Sequence, residues 1–191
     1  MNFIKEENTQ TLEEKKSKFI AFLTPFDEFD SLMKRLRQEH TKARHFVYAY
    51  RYLNEFDQVV ENCSDDGEPK GTSGKPSLNV LAGNELINSA VIIVRYFGGV
   101  KLGTGGLVRA YADAVNLVIN SAKLYAYEKL QNISLSLEYS LLSKLEYIIN
   151  NLKIKIINKE FQDNVVLQLS LTQEQLESLE KEMPRSINIS K

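Results

Sequence analysis

The sequence predicts an α+β chain in two parts, and three observations predict it. Hydrophobic periodicity in the last third switches between two and three-to-four, in the order β-α-β-β-α-β. A continuously apolar run at 90–97 precedes a long amphipathic stretch, as expected where a buried strand feeds a helix. All nine glycines lie between Gly67 and Gly106, so the permissive backbone is confined to one window. With 191 residues the chain makes one large domain or two small ones. A hydrophobic content of 43% beside 26% charge excludes disorder and fibrous repeats.

In chain order, residues 18–23 and 45–53 read as strands flanking a helix whose apolar face is Phe29, Leu32, Met33 and Leu36. Pro76 suits a helix start, so 77–82 reads as a short helix. The run at 90–97 reads as a central strand covered on both faces, with Phe97 filling core. A long helix is expected over 105–122, with Leu107, Val108, Tyr111, Val115, Val118 and Ile119 on one side. Residues 123–132 hold no Gly or Pro and read as a short, strand-like linker.

Ile133, Leu135, Leu137 and Tyr139 then alternate as a strand, and Ser140 is placed to N-cap a helix through Leu141, Leu145, Ile148 and Leu152. Ile154, Ile156 and Ile157 pair in a hairpin with Val165, Leu167, Leu169 and Leu171 across Gln162, Asp163 and Asn164. Thr172 and Gln175 form a capping box, with Leu171 and Leu176 as a staple. The helix they open is closed by Pro184, and Ile187 with Ile189 makes a last strand. This order is that of a ferredoxin-like domain. The expected division is 1–127 and 128–191.

Charge and composition narrow the function. Lys plus Arg number 24 against 25 Asp plus Glu, so no global field points to nucleic acid or membrane. Cys63 has no partner for an internal disulfide, and with only His40 and His45 beside it a zinc site lacks ligands. Neither a metal nor a cofactor is expected. Glu6 and Glu7 fall where a signal peptide needs an apolar run, and no apolar stretch is long enough to span a bilayer. A cytoplasmic protein without a membrane partner is the expectation.

The glycine window holds two loops of opposite character. Residues 64–76 combine Asp65, Asp66 and Glu68 with Ser64, Thr72, Ser73, Lys70 and Lys75. This is either a polar turn or a loop able to approach a ligand closely. Residues 95–111 join the apolar strand to the long helix through a glycine-rich turn. Arg95, Lys101 and Arg109 lie there with no acid between them. Helix N–H groups near Gly103, Thr104, Gly105 and Gly106 offer an anion site, and Tyr96 and Tyr111 are candidates for contact with bases. Named phosphate motifs fail. Val108 breaks a dinucleotide fingerprint begun at Gly103, and Thr104 stands where a Walker loop begun at Gly98 needs lysine. An enzymatic alternative has Asp66 or Glu68 holding Mg²⁺ beside the loop, with His45 or Asp65 as base.

At these residues the sequence resembles the YigZ/IMPACT family. Ser64, Asp66, Gly67, Glu68, Pro69, Gly71, Thr72, Gly74 and Pro76 match its S-x-D-G-E-P-x-G-T-A-G-x-P pattern, with Ser73 in place of the alanine. Arg95 through Gly99, Leu102, Gly103 and Gly105 through Tyr111 match its second pattern. Ala43, His45, Ala49 and Tyr50 match an earlier segment in which Arg44 replaces threonine. The resemblance implies an N-terminal domain similar to ribosomal protein S5 domain 2, a ferredoxin-like C-terminal domain, and a role in regulation of translation. The expectation is therefore a non-enzymatic protein that binds RNA or the ribosome, with a translation-linked protein as a further partner; a second alternative is a protein-interaction module whose ferredoxin-like sheet docks a partner. Lys101, Arg109 and the N–H groups near Thr104 and Gly105 would take phosphate oxygens.

Overall fold

The computed structural model describes residues 1–184 and 187–190. β1 (Asn2–Phe3), β2 (Asn8–Glu14), β3 (Ser17–Pro25), α1 (Phe29–Glu39), β4 (His45–Leu53), β5 (Val59–Ser64), α2 (Gly74–Gly83), β6 (Ser89–Tyr96), α3 (Thr104–Ser121) and β7 (Tyr125–Ala126) form one unit, Met1–Tyr127. β8 (Gln131–Leu137), α4 (Leu142–Asn151), β9 (Lys155–Phe161), β10 (Val165–Leu171), α5 (Gln173–Glu182) and β11 (Asn188–Ser190) belong to a second, Glu128–Lys191.

In the first unit an antiparallel five-stranded sheet runs in the order β2-β3-β6-β4-β5. β6 is its middle strand, as its unbroken apolar run requires, because strand alternation sends successive side chains to opposite faces. Val91 and Ile93 pack with Phe19, Val47 and Ala49 against Leu78 and Leu81 of α2 and Leu107, Tyr111, Val115 and Val118 of α3. Ile92 and Val94 pack with Phe22 and Phe46 against Leu32 and Leu36 of α1. Each such fully buried side chain contributes about 1.5–3 kcal/mol relative to exposure. The strand's parity also directs its polar end, with Arg95 on the α3 face and Tyr96 on the α1 face.

Sequence reading missed both edge strands. β2, Asn8–Glu14, carries Leu12 as its one aliphatic residue, and in β5 the residues from Glu61 to Ser64 hold only Cys63 as an apolar side chain; pairing to β3 and β4 makes both strands. α2 begins at Gly74, ahead of the expected start, because Asp65 caps it from a distance. The strand-like linker contains β7, which pairs with β1. Phe97, expected in the core, lies beyond the end of β6 and is 49% exposed.

Gly98 marks a close approach. A Cβ there would lie 1.9 Å from the Lys16 carbonyl carbon, and its N–H donates to the Ser17 hydroxyl at 3.2 Å. The β2–β3 turn it touches puts Lys15 and Lys16 at φ 46° and 65°, the left-handed pair that a two-residue hairpin demands.

In the second unit an antiparallel sheet runs β11-β8-β10-β9. Ile133, Leu135 and Leu137 of β8 and Val165, Leu167, Leu169 and Leu171 of β10 bury one face against Leu145, Ile148 and Ile149 of α4 and Leu176 and Leu179 of α5. The Thr172–Gln175 capping box is present. Ser140 does not cap α4: a 3-10 turn, Tyr139–Leu141, precedes the helix, and the Ser140 hydroxyl turns to Glu138. The adjacent Ile156 and Ile157 face opposite sides of β9, so Ile157 is 49% exposed, and the β9–β10 register shifts beside it between Gln168 and Leu169.

Candidate functional site

The three carboxylates of the 64–76 loop are spent on different tasks. Asp65 accepts from the Gly71 N–H at 2.7 Å, the Ser73 N–H at 3.1 Å, the Ser73 hydroxyl at 2.7 Å and the Gly74 N–H at 2.8 Å. It therefore neutralises the free N–H groups where α2 starts. Burial opposes its charge, but the donors of Gly71, Ser73 and Gly74 outweigh that and hold its carboxyl below the usual range. Asp66 accepts from the Phe46 N–H at 2.6 Å and lies 3.4 Å from Arg37, which ties the loop to β4 and α1. Its carbonyl accepts from His45 Nδ1 at 2.8 Å.

Glu68 turns inward, its side chain only 3% exposed. One oxygen, Oε1, accepts from Arg95 Nη1 at 2.5 Å and from the Tyr111 hydroxyl at 2.8 Å, with His45 Nε2 at 3.9 Å. The acidic and basic loops thus meet through a buried ion pair. Burial first, then the Glu68 charge, push the Tyr111 hydroxyl far above its ordinary pKa, so it stays a donor. Arg95 Nε is buried with no acceptor among the described residues.

Around this pair lies a cavity of about 460 Å³ bordered by Arg44, His45, Glu68, Pro69, Arg95, Phe97, Lys101, Leu102, Gly103, Thr104 and Leu107. Gly103, at φ 74°, precedes the first turn of α3, which contains no acid and no side-chain cap. The N–H groups there stay available to an anion. Arg44 and Lys101 are exposed, and neither has an ion-pair partner among the described residues. A cavity of about 500 Å³ near Phe26 and Tyr52 is bordered by Asp27 and Glu28 with only Lys5 as cation, so it does not suit an anion.

The structure brings together His45, Glu68, Pro69, Arg95, Lys101, Gly103 and Thr104 from the sequence-predicted set and separates others. Tyr111 is fully buried, so no base can stack on it. Tyr96 faces α1, where its hydroxyl meets His40 Nδ1 at 2.9 Å. Arg109 borders a neighbouring cavity of about 340 Å³ with Glu14, Lys15 and Asp113, and its Nε donates to the Gly105 carbonyl at 3.3 Å. Asp66 and Glu68 point to different partners, and no cluster of three or more His, Cys, Asp or Glu suited to a metal occurs among the described residues.

The family model of the Impact N-terminal domain matches residues 15–119, a span that contains every residue of this cavity. The chain belongs to the IMPACT family. A second family model, a domain of unknown function (DUF1949), matches residues 135–185. An IMPACT family member of Haemophilus influenzae is 33% identical over 172 residues, covering 88% of this chain and 84% of that protein. The IMPACT family member YigZ of Escherichia coli is 37% identical over 160 residues, covering 82% and 78%. A crystal structure of a hypothetical protein superposes with a TM-score of 0.67 at 31% identity, covering 98% of this chain and 95% of the other.

Within this candidate site of an IMPACT family chain, sequence reasoning missed Arg44, Phe97 and the apolar wall of Leu102 and Leu107. Parity held a usable signal. Counting outward from Val91 and Ile93, Arg95 and Phe97 share a face that excludes Tyr96.

Proposed function

We propose that this protein is a translation-associated regulator that binds RNA or the ribosome through the cavity at the start of α3. Its place in the IMPACT family supports the regulatory role. The observation that carries the binding mode is the pairing of unmatched Arg44 and Lys101 with the uncapped, acid-free N-terminus of α3. Glu68 neutralises Arg95, so phosphate oxygens are assigned to Lys101, Arg44 and the N–H groups near Thr104 and Gly105. Phe97, exposed beside them, takes over the stacking role expected of Tyr96 and Tyr111. Arg109 belongs to the neighbouring surface and contributes charge only.

We read the first unit as similar to ribosomal protein S5 domain 2 and the second as ferredoxin-like, with 1–127 and 128–191 as the domains. The second reading is supported by the β-α-β-β-α-β order and by a sheet in which the unit's first and third strands are central. A cytoplasmic location suits such a role, and among the described residues no helix is long and apolar enough to cross a membrane.

Ribosome co-sedimentation and single-stranded RNA binding over a salt series test the proposal. Each phosphate contact contributes about −0.7 to the log–log salt slope, so Arg44→Ala with Lys101→Ala is expected to flatten it by about 1.4. Absence of association at low salt, or a double variant with unchanged slope and affinity, would overturn it.

A further inference from the structure

We infer that the α3 cavity holds one nucleoside monophosphate unit, supplied by a free nucleotide or by the phosphorylated end of an RNA strand. This rests on reading the same cavity as a phosphate site, and it specifies what enters. The volume of about 460 Å³ falls within the range of about 300–1,000 Å³ typical of small-molecule pockets. A strand bound along its length would need a groove with successive cations and stacking rings. Here Lys101, Arg44 at the rim, one helix start and one exposed ring surround a floor made by Glu68 and Arg95, whose side chains are 3% and 7% exposed. Room for one ring beside one phosphate site favours the end of a strand over its middle.

The walls sort into the parts of a nucleotide. Lys101, Thr104 and the first N–H groups of α3 face a phosphate, and Arg44 adds charge at the rim. Arg44, Arg95 and Lys101 against Glu68 leave a cationic excess suited to a terminal phosphate, which carries more charge than an internal diester. Phe97, Pro69, Leu102 and Leu107 supply apolar surface for a ring.

The floor supplies hydrogen bonds. Because the Asp66 carbonyl can only accept, His45 Nδ1 carries the hydrogen of that bond, which turns Nε2 toward Glu68 Oε1 at 3.9 Å. Arg95 is nine-tenths buried and held by Glu68 through Nη1, and its buried Nε has no acceptor among the described residues. The Glu68 carboxylate and the His45 ring on one surface offer hydrogen bonds to the edge of a base or a ribose.

Titration calorimetry of the full chain tests the inference with AMP, GMP, CMP and UMP, the matching nucleosides, and inorganic phosphate. RNA oligonucleotides of one sequence carrying a 5′-phosphate, a 3′-phosphate or neither complete the set. Saturable binding of at least one monophosphate, about tenfold or more tighter than its nucleoside and than phosphate alone, is expected. Phe97→Ala is expected to weaken it about fivefold or more, Phe97→Tyr to retain it, and Lys101→Ala to weaken the monophosphate but not the nucleoside. Both side chains are exposed, and circular dichroism checks that the variants fold. Preference for a phosphorylated RNA end identifies the strand as source, and binding of monophosphates alone identifies the free nucleotide. No saturation by any monophosphate together with equal binding of all three RNAs overturns the inference, as does unchanged affinity in Lys101→Ala. Ribosome association that persists in that case leaves the broader proposal standing, whereas loss of both overturns the two together.

Discussion

Glu68 looked, in sequence, like a solvated turn acid or a metal ligand, and it is a buried counter-ion. Breaking such a pair leaves an uncompensated charge and costs about 3–5 kcal/mol, so Glu68 is a poor residue for separating stability from function. Tyr111→Phe removes one donor and leaves the ion pair. It is expected to lower stability by about 0.5–1.5 kcal/mol in urea denaturation, with ribosome and nucleotide binding retained. Asp65 gives a pH signature. Its folded pKa lies below its unfolded value, so its stabilisation is complete above the unfolded pKa and is lost as pH falls through the folded one. Asp65→Asn keeps one acceptor oxygen but loses the charge and the bond from Gly71, and is expected to cost about 1 kcal/mol at neutral pH and to differ little from the parent below the folded pKa. A gap between the two proteins that stays constant down to low pH would refute the capping role.

Among the elements, the glycine-rich turn does two separate jobs. Gly98 lets β6 leave the sheet against the β2–β3 turn, whereas Gly103 starts α3 with its N–H groups uncovered. Gly98→Ala is expected to destabilise the first unit by about 3 kcal/mol, because the obstructing atoms are backbone and cannot rotate away. Thermal melts check this, and a change below 1 kcal/mol would mean that the turn yields. Most elements were legible in sequence because their cause is local. The β6 run, the α3 stripe and the Thr172 capping box each announce themselves within one segment. β2 and β5 were not legible, since edge strands without a sustained apolar alternation take their form from the neighbour they pair with. α2 began early for the same reason, its cap coming from Asp65 rather than from an adjacent residue.

On the scale of the whole molecule, the chain builds separate cores. Ile133 through Leu179 close one around the β8–β10 sheet, and the first unit has one core on each face of its own sheet. Residues 128–191 expressed alone are therefore expected to unfold cooperatively, with Thr172→Ala lowering stability by about 1 kcal/mol. A non-cooperative melt of that fragment would show that its core is insufficient by itself.

The sequence by itself determined the β-α-β-β-α-β order of the second unit, the central place of β6, and the two glycine-bearing loops that border the candidate cavity. Each follows from periodicity or from backbone-permissive residues, which act over a few positions. Only the tertiary structure decided which groups the site contains. It joined Glu68 to Arg95 and Tyr111, turned Tyr96 and Arg109 away, and brought Arg44 and Phe97 to the rim of one cavity. The physical reason is that strand pairing and the face covered by each helix are long-range choices, and a side chain's partner is set by them rather than by its neighbours in sequence.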